Sequence, residues 1–357
     1  MKKVLLSLMM ATSLVACGEK TEAIKEDANK TIKIGAVLPL TGNTSMLGES
    51  LKAGILAAVA DRKDTKHKYE IVWEDDQHSP AKAVAAAHKL ISSDKVNAVV
   101  TFMLGMGRAI APVADRAGVI TLVATLEQKN MKPMGKMAIV QGPSVESFQA
   151  RSLEAFRKKG VKKIALIAAN VGVSCLGTQQ LGKKLSEDGV EAVVECFNPG
   201  ERNFRLLLSK YNDYSDFYVS AFPPETELLI SQLLEMGVKK DRIFGQGMDT
   251  GEIVEEYNGI NHISPSNGTP EFVERLTKEY GLKNVYMAAT TYDLINLIID
   301  AFENVSEKSN EKVLEYMKLN ATRKCMSGTC EIQPNGFIVN EAEWRTYKDG
   351  MPVVINE

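Results

Sequence analysis

Two glycines close an apolar run at Gly105 and Gly107, and that pattern could hold an anion. Val96-Asn-Ala-Val-Val-Thr-Phe102 reads as a short internal strand, running on through Met103 and Leu104. The glycines permit a sharp turn and a close backbone approach. A helix follows, so unpaired N–H groups project from the corner. Val119 to Thr125 is a second apolar run, ending in Ala124-Thr125, a small residue and a hydroxyl. Both runs would end at one sheet edge, where the corner would form half of a ligand cleft.

Other chemistry-bearing patterns are weaker. Gly177-Thr-Gln-Gln-Leu-Gly182-Lys183-Lys184 nearly spells a phosphate-binding loop, but Lys184 replaces the hydroxyl residue that would ligate magnesium. Leu176, Leu181 and Leu185 place it inside a helix. Gly105-Met-Gly107 lacks the third glycine of a dinucleotide fingerprint. His67, His78, His88 and His262 have no metal-ligand spacing. Asp75-Asp76 stand before a helix start, where capping explains them better than catalysis. Arg108 is either a partner for an anionic ligand or a solvated helix-start residue. No nucleophile elbow occurs. The expectation is a protein that is not an enzyme and needs no cofactor or metal.

The N-terminus reads as an address. Met1-Lys2-Lys3 is basic, and Val4 to Leu14 is an apolar stretch too short to remain a spanning helix. Leu14-Val15-Ala16-Cys17 resembles the bacterial lipobox. That resemblance implies cleavage before Cys17 and a lipid on its sulfur, giving a signal peptide over 1–16 and a lipidated tether over 17–30. Export implies an oxidising compartment. Cys325 and Cys330 flank a four-residue loop that a bridge could close. Cys175 and Cys196 follow neighbouring strand ends, so a bridge between them is geometrically open, as are free buried thiols. Four cysteines allow three connectivities.

The chain has 357 residues, with 45% apolar and 25% charged residues and a net charge of −2. This length suggests two domains, and the absence of a basic stripe argues against nucleic acid as a partner. From Ile32 strands and helices alternate; after Gln141-Gly142-Pro143-Ser144 the series starts again. The expected fold is α/β, two doubly wound parallel-sheet lobes joined by a multi-crossover hinge. The first lobe would hold 31–146 plus 265–330, and the second 147–264 plus 331–357.

Several strings then become readable together. Ile32-Lys-Ile-Gly-Ala-Val-Leu-Pro-Leu-Thr-Gly42 with Leu47-Gly48, Glu74-Asp75-Asp76-Gln77 with Pro80-Ala81-Lys82-Ala83, Tyr292-Asp293, and Pro334-Asn335-Gly336 are similar to strings of type I periplasmic solute-binding proteins. These are the leucine/isoleucine/valine-binding type that serve ABC importers. The resemblance implies a two-lobed binder that closes on an amino acid, of branched-chain type, or a related small carboxylate. It implies a monomer in the periplasm, held to the membrane by the lipid on Cys17, with an ABC permease as partner. Carried over by position, the ligand-binding residues would be Leu47, Gly48, Leu104, Gly105, Met106, Ala124, Thr125, Leu176, Phe222 and Asp249, with Asp249 meeting the ligand ammonium. Leu47 and Leu176 stand where many members have tyrosine, and Gly105 where many have serine. With methionines at 46, 103 and 106, the pocket is expected to be less polar than an amino-acid site. A sensor that signals to a membrane partner, or an enzyme on the same scaffold, are the competing readings.

Overall fold

The structure is a computed structural model that describes residues 30–42, 44–126, 132–171, 174–250, 255–307 and 309–355. The expected signal peptide, Cys17 and the tether up to residue 29 lie outside the described residues. Among the described residues no helix is long and apolar enough to cross a membrane.

The first half alternates strand and helix: β1 (Thr31–Leu38), α1 (Ser45–Asp61), β2 (Lys68–Asp75), α2 (Pro80–Ser92), β3 (Ala98–Phe102), α3 (Leu104–Ala117), β4 (Ile120–Ala124) and β5 (Ala138–Pro143). The series then repeats as α4 (Val145–Lys158), β6 (Lys163–Ala169), α5 (Ser174–Glu187), β7 (Glu191–Phe197), α6 (Arg205–Leu208), β8 (Asp216–Ser220), α7 (Glu225–Glu235), β9 (Ile243–Gln246) and β10 (Asn261–Pro265). The chain returns to the first lobe for α8 (Pro270–Tyr280), α9 (Ala288–Asn304), α10 (Asn310–Leu319), β11 (Arg323–Cys325), β12 (Gly328–Ile332) and β13 (Phe337–Asn340). It ends in the second lobe with β14 (Ala342–Lys348) and β15 (Met351–Val354).

Two sheets result, ordered β11-β12-β13-β5-β4-β3-β1-β2 and β15-β14-β10-β9-β8-β6-β7. Both are mostly parallel, because a helix returns the chain between most consecutive strands. Each gains antiparallel strands from the tail, where the links are hairpin turns. The turn at Asp349-Gly350 puts both residues at positive φ, 52° and 73°, which suits a two-residue hairpin. The first lobe's core packs Ile34, Leu38, Leu122 and Ile139 of the sheet against Leu51 and Ile55 of α1 and Ile295 and Ile298 of α9. α9 is apolar on most of its surface because it lies against both the sheet and α1.

The chain passes between lobes three times, near 143–145, 265–270 and 340–342. One expected boundary is corrected by this. The sequence pattern puts residues 331–340 in the second lobe, but β13 pairs in parallel with β5 in the first sheet. The extended pattern of the tail gives no sign of which sheet each strand joins. The Ser266 N–H donates to the Glu341 carbonyl at 3.1 Å, so the second and third crossovers are bonded to each other.

Two bridges are closed. Cys175 of α5 joins Cys196 of β7, and Cys325 joins Cys330 across the β11–β12 hairpin. Asp293 of α9 supports that hairpin by accepting from the N–H groups of Met326, at 2.8 Å, and Ser327, at 2.9 Å.

Candidate functional site

In each sheet the strand order reverses beside the first strand of its series, at β1/β3 and at β6/β8. Loops leaving opposite sides of such a point part and leave a crevice at the carboxyl ends. Here the two crevices face each other. A cavity of about 10 Å³ lies between them, room for a single water. The first lobe contributes Leu126, just beyond β4, and Tyr286, just before α9. From the second lobe come Phe148, Ser174, Ser220, Phe222 and Gln246, with Pro265 at the hinge. Phe148, Ser174 and Gln246 also wall a second space of the same size, deeper in that lobe. A far larger hollow, about 580 Å³, lies at the C-terminal end of α3 and is lined by Asp115, Lys136, Glu311 and Lys318. It lies by the amino ends of β4 and β5, away from the carboxyl ends where the crevices are, and we take the cleft as the candidate site.

The wall combines aromatic surface with neutral polar groups. Tyr286 is held from two sides: its carbonyl accepts from Ser50 Oγ of α1 at 3.0 Å, and its N–H donates to Asn284 Oδ1 at 2.8 Å. Its ring meets Phe102 edge-on at 6.5 Å. Burial pushes the Tyr286 hydroxyl well above its ordinary pKa, so it remains a neutral donor. Gln246 Oε1 accepts from Tyr218 at 2.7 Å, which fixes the amide at the end of β9.

The opening corner has a different shape from the one expected. α3 starts at Leu104, so Gly105 and Gly107 lie in its first turn and not in a loop before it. Met103 makes the turn instead, at φ 67° and ψ 145°, an uncommon conformation for a side-chain-bearing residue. It is tied down by donating to the Ala124 carbonyl at 2.9 Å and accepting from Gly107 at 3.1 Å. Gly105 is exposed, and a β-carbon there would meet nothing within 4 Å. The N–H groups of this first turn are therefore presented at the end of β3.

The expected ligand residues are spread over several environments. Phe222 lies on the cavity wall. Leu104 is half-buried beside Gly105. Ala124 and Thr125 end β4 in buried positions, and the Thr125 N–H donates to Gln141 at 3.0 Å. Leu47 is packed in the first lobe's core with Leu38 and Leu51. Gly48 is needed for packing, since a β-carbon would sit 2.2 Å from the Pro39 carbonyl oxygen. Met106 points into the α2–α3 core with Ala83, Leu90 and Ile110. Leu176 is half exposed, two residues along α5 from the wall residue Ser174.

Asp249 departs most from its expected role. It is fully buried in the turn after β9 and is not on the cavity wall. Its Oδ2 accepts from Ser264 Oγ and from Arg345 Nη1, the latter at 3.3 Å. Burial pushes its carboxyl up, but His262, Arg345 and Ser264 outweigh this and hold it below the usual range. The cation it meets is Arg345. His262 Nε2 stands 3.7 Å away, and burial keeps that imidazole neutral below its ordinary pKa. Asp75 and Asp76 are also structural. Asp75 accepts from the Leu40, Thr41 and Gln77 N–H groups, and Asp76 accepts from His78. Asp293, Cys325 and Cys330 lie close enough to suit a metal, but both sulfurs are in a bridge and the carboxylate is bonded to the hairpin.

Tyr286, Phe148, Ser174, Gln246 and Leu126 were not anticipated. Leu126 could have been, because it follows Thr125 at an edge already identified. Tyr286 lies in a connecting stretch without periodicity, and Phe148 reads as an ordinary apolar residue of α4.

Known proteins share this fold. A Leu/Ile/Val-binding protein homologue of Brucella abortus is 23% identical over 390 residues, covering 98% of both chains. A branched-chain amino acid transporter substrate-binding protein of Streptococcus pneumoniae, solved with isoleucine, superposes with a TM-score of 0.76 at 21% identity, covering 91% of this chain and 100% of that one. A solute-binding protein of Rhodopseudomonas palustris, solved with 4-hydroxybenzoate, gives a TM-score of 0.77 at 19% identity, covering 92% and 96%. Residues 31–324 match the family described as periplasmic binding protein, and the chain belongs to that family.

Proposed function

We propose that this protein is an extracytoplasmic receptor, anchored by a lipid on Cys17, that captures a small carboxylate between its lobes and delivers it to an ABC permease. One observation carries the reading: a cavity at the carboxyl ends of both sheets, walled by both lobes and reached across three crossovers. Such a site binds by hinge closure, with ligand favouring the closed form. The first turn of α3, at Leu104 and Gly105, with Ala124 and Thr125 at the end of β4, would hold the carboxylate through N–H groups and a hydroxyl. Phe222, Phe148 and Tyr286 would enclose the apolar part of the ligand. Branched-chain amino acids and aromatic carboxylates both suit that division.

Native mass spectrometry of the protein as purified, followed by calorimetry with any retained compound, L-isoleucine and 4-hydroxybenzoate, tests the reading. Micromolar or tighter binding of a small carboxylate is expected. Phe222→Ala should weaken it about ten-fold, the worth of a partly buried ring. No retained compound and no heat from either probe would sink it. Cys17→Ser should move the protein from the membrane to the soluble fraction; an unchanged distribution would remove the anchor.

A further inference from the structure

A polar link joins the two lobes beside the cavity, and neither of its residues is on the cavity wall. Asn284 belongs to the first lobe. It lies between α8 and α9, and its neighbours Leu282 and Val285 pack against Ala53 and Ala57 of α1. Asn284 Nδ2 donates to the Asp249 carbonyl in the second lobe. Asn284 Oδ1 accepts from the Tyr286 N–H at 2.8 Å. The two bonds fix the amide's orientation, because its oxygen faces a donor and its nitrogen an acceptor. Both residues are buried.

The far end of the link is equally fixed. Asp249 lies in a single helical turn closed by the Thr250 N–H on the Gly247 carbonyl at 3.2 Å. Its carboxylate is held by Ser264 of β10 and Arg345 of β14. Arg345 Nη2 also donates to the Pro265 carbonyl at the second crossover, at 2.8 Å. A continuous path therefore runs from the hinge through Arg345, Asp249 and Asn284 to the backbone of Tyr286, on the cavity wall.

We infer that Asn284 is an interlobe strut: it positions Tyr286 and holds the lobes closed by gripping the Asp249 carbonyl, without touching the ligand. Opening the cleft breaks the bond to Asp249 and leaves the bond to Tyr286 intact. The strut therefore biases the molecule toward the closed form whatever the ligand is. It also assigns Asp249 a positioning role through its main chain, separate from any contact with a ligand ammonium.

Asn284→Asp separates the two bonds. The introduced carboxyl keeps the oxygen that accepts from Tyr286 but sets a second oxygen against the Asp249 carbonyl. Asn284→Ala removes both bonds and serves as the second variant, with circular dichroism to confirm that each is folded. In small-angle X-ray scattering without added ligand, both variants should have a larger radius of gyration than the wild type. Acidifying the Asn284→Asp protein should restore a donor and shrink it again, while the wild type and Asn284→Ala stay unchanged. Whichever of L-isoleucine and 4-hydroxybenzoate the wild type binds should leave the Asn284→Asp protein about ten-fold faster, a single buried hydrogen bond's worth, with association little altered. Variants that scatter like the wild type would overturn the inference. If the wild type retains no compound and binds neither probe, the small-carboxylate reading fails, and the scattering comparison still decides the strut.

Discussion

Gly142 leaves no room for a side chain, and the reason lies at the cleft. A β-carbon there would fall 1.6 Å from the Thr125 carbonyl oxygen, where β4 ends beside β5 just before the first crossover. Main chain blocks it, so a rotamer change cannot relieve the clash. Gly142→Ala should cost about 1–3 kcal/mol in urea unfolding, the range for overpacking. It should also weaken ligand binding, because Thr125 shifts with the strand end; a loss below about 0.5 kcal/mol would mean that the backbone yields freely. Only part of this was readable in advance. Gln141-Gly142-Pro143-Ser144 announced a break between two series, but nothing in the string says that Gly142 faces a carbonyl. Phe222 could be named as a wall residue through the family resemblance, which places an aromatic just after that strand. The commitment of Asp249 to Arg345 could not, since 96 residues separate the pair and ordinary strand residues surround the arginine.

Among the elements, most strands and helices of both series were legible from periodicity, whereas β5, α4, β10 and the start of α3 were not. Gly105 and Gly107 suggested a loop, but Met103 takes the positive φ and the glycines continue as helix. Local propensity yielded to the geometry that brings β3 and β4 to one edge. Helix α5 begins at that same edge of the second lobe and depends on its bridge to β7. Cys175 and Cys196 are 21 residues apart, and closing a loop of that length removes about 3 kcal/mol of unfolded-state entropy in the chain-entropy account. The Cys325–Cys330 loop, with a separation of 5, is worth about 2 kcal/mol on the same basis. Reduction should lower the urea midpoint, and Cys175→Ser with Cys196→Ser should reproduce the larger share of that loss. Because Ser174 is on the cavity wall, the double variant should also lose affinity. Full affinity with lowered stability would show that the bridge supports the fold alone.

At the scale of the whole molecule, three crossovers join the two lobes, and Arg345 of β14 is buried beside the second of them. It donates to the Pro265 carbonyl, to Asp249 and to Glu343, the last at 2.6 Å through Nη2. His262, stacked on Tyr347 with ring centroids 4.4 Å apart, completes the surroundings and stays neutral through burial. A buried cation between two carboxylates is expensive to disturb, because removing it leaves charge without a partner. Arg345→Met should therefore cost about 3–5 kcal/mol at pH 7. The sign of the pH dependence follows from Asp249. With Arg345 present its carboxyl lies below the usual value, so its contribution is complete at neutral pH and is lost as acid approaches the folded pKa. Without the guanidinium, burial dominates and the carboxyl rises, so the folded protein takes up a proton before the unfolded chain does. Protonation of His262 beside it would act in the same direction. The deficit of Arg345→Met should then shrink between pH 7 and pH 5, and adding Asp249→Asn should recover part of it at pH 7. Urea unfolding of the three proteins at both pH values measures this. An equal deficit at both, unrelieved in the double variant, would mean that Arg345 acts through packing and not through its charge on Asp249.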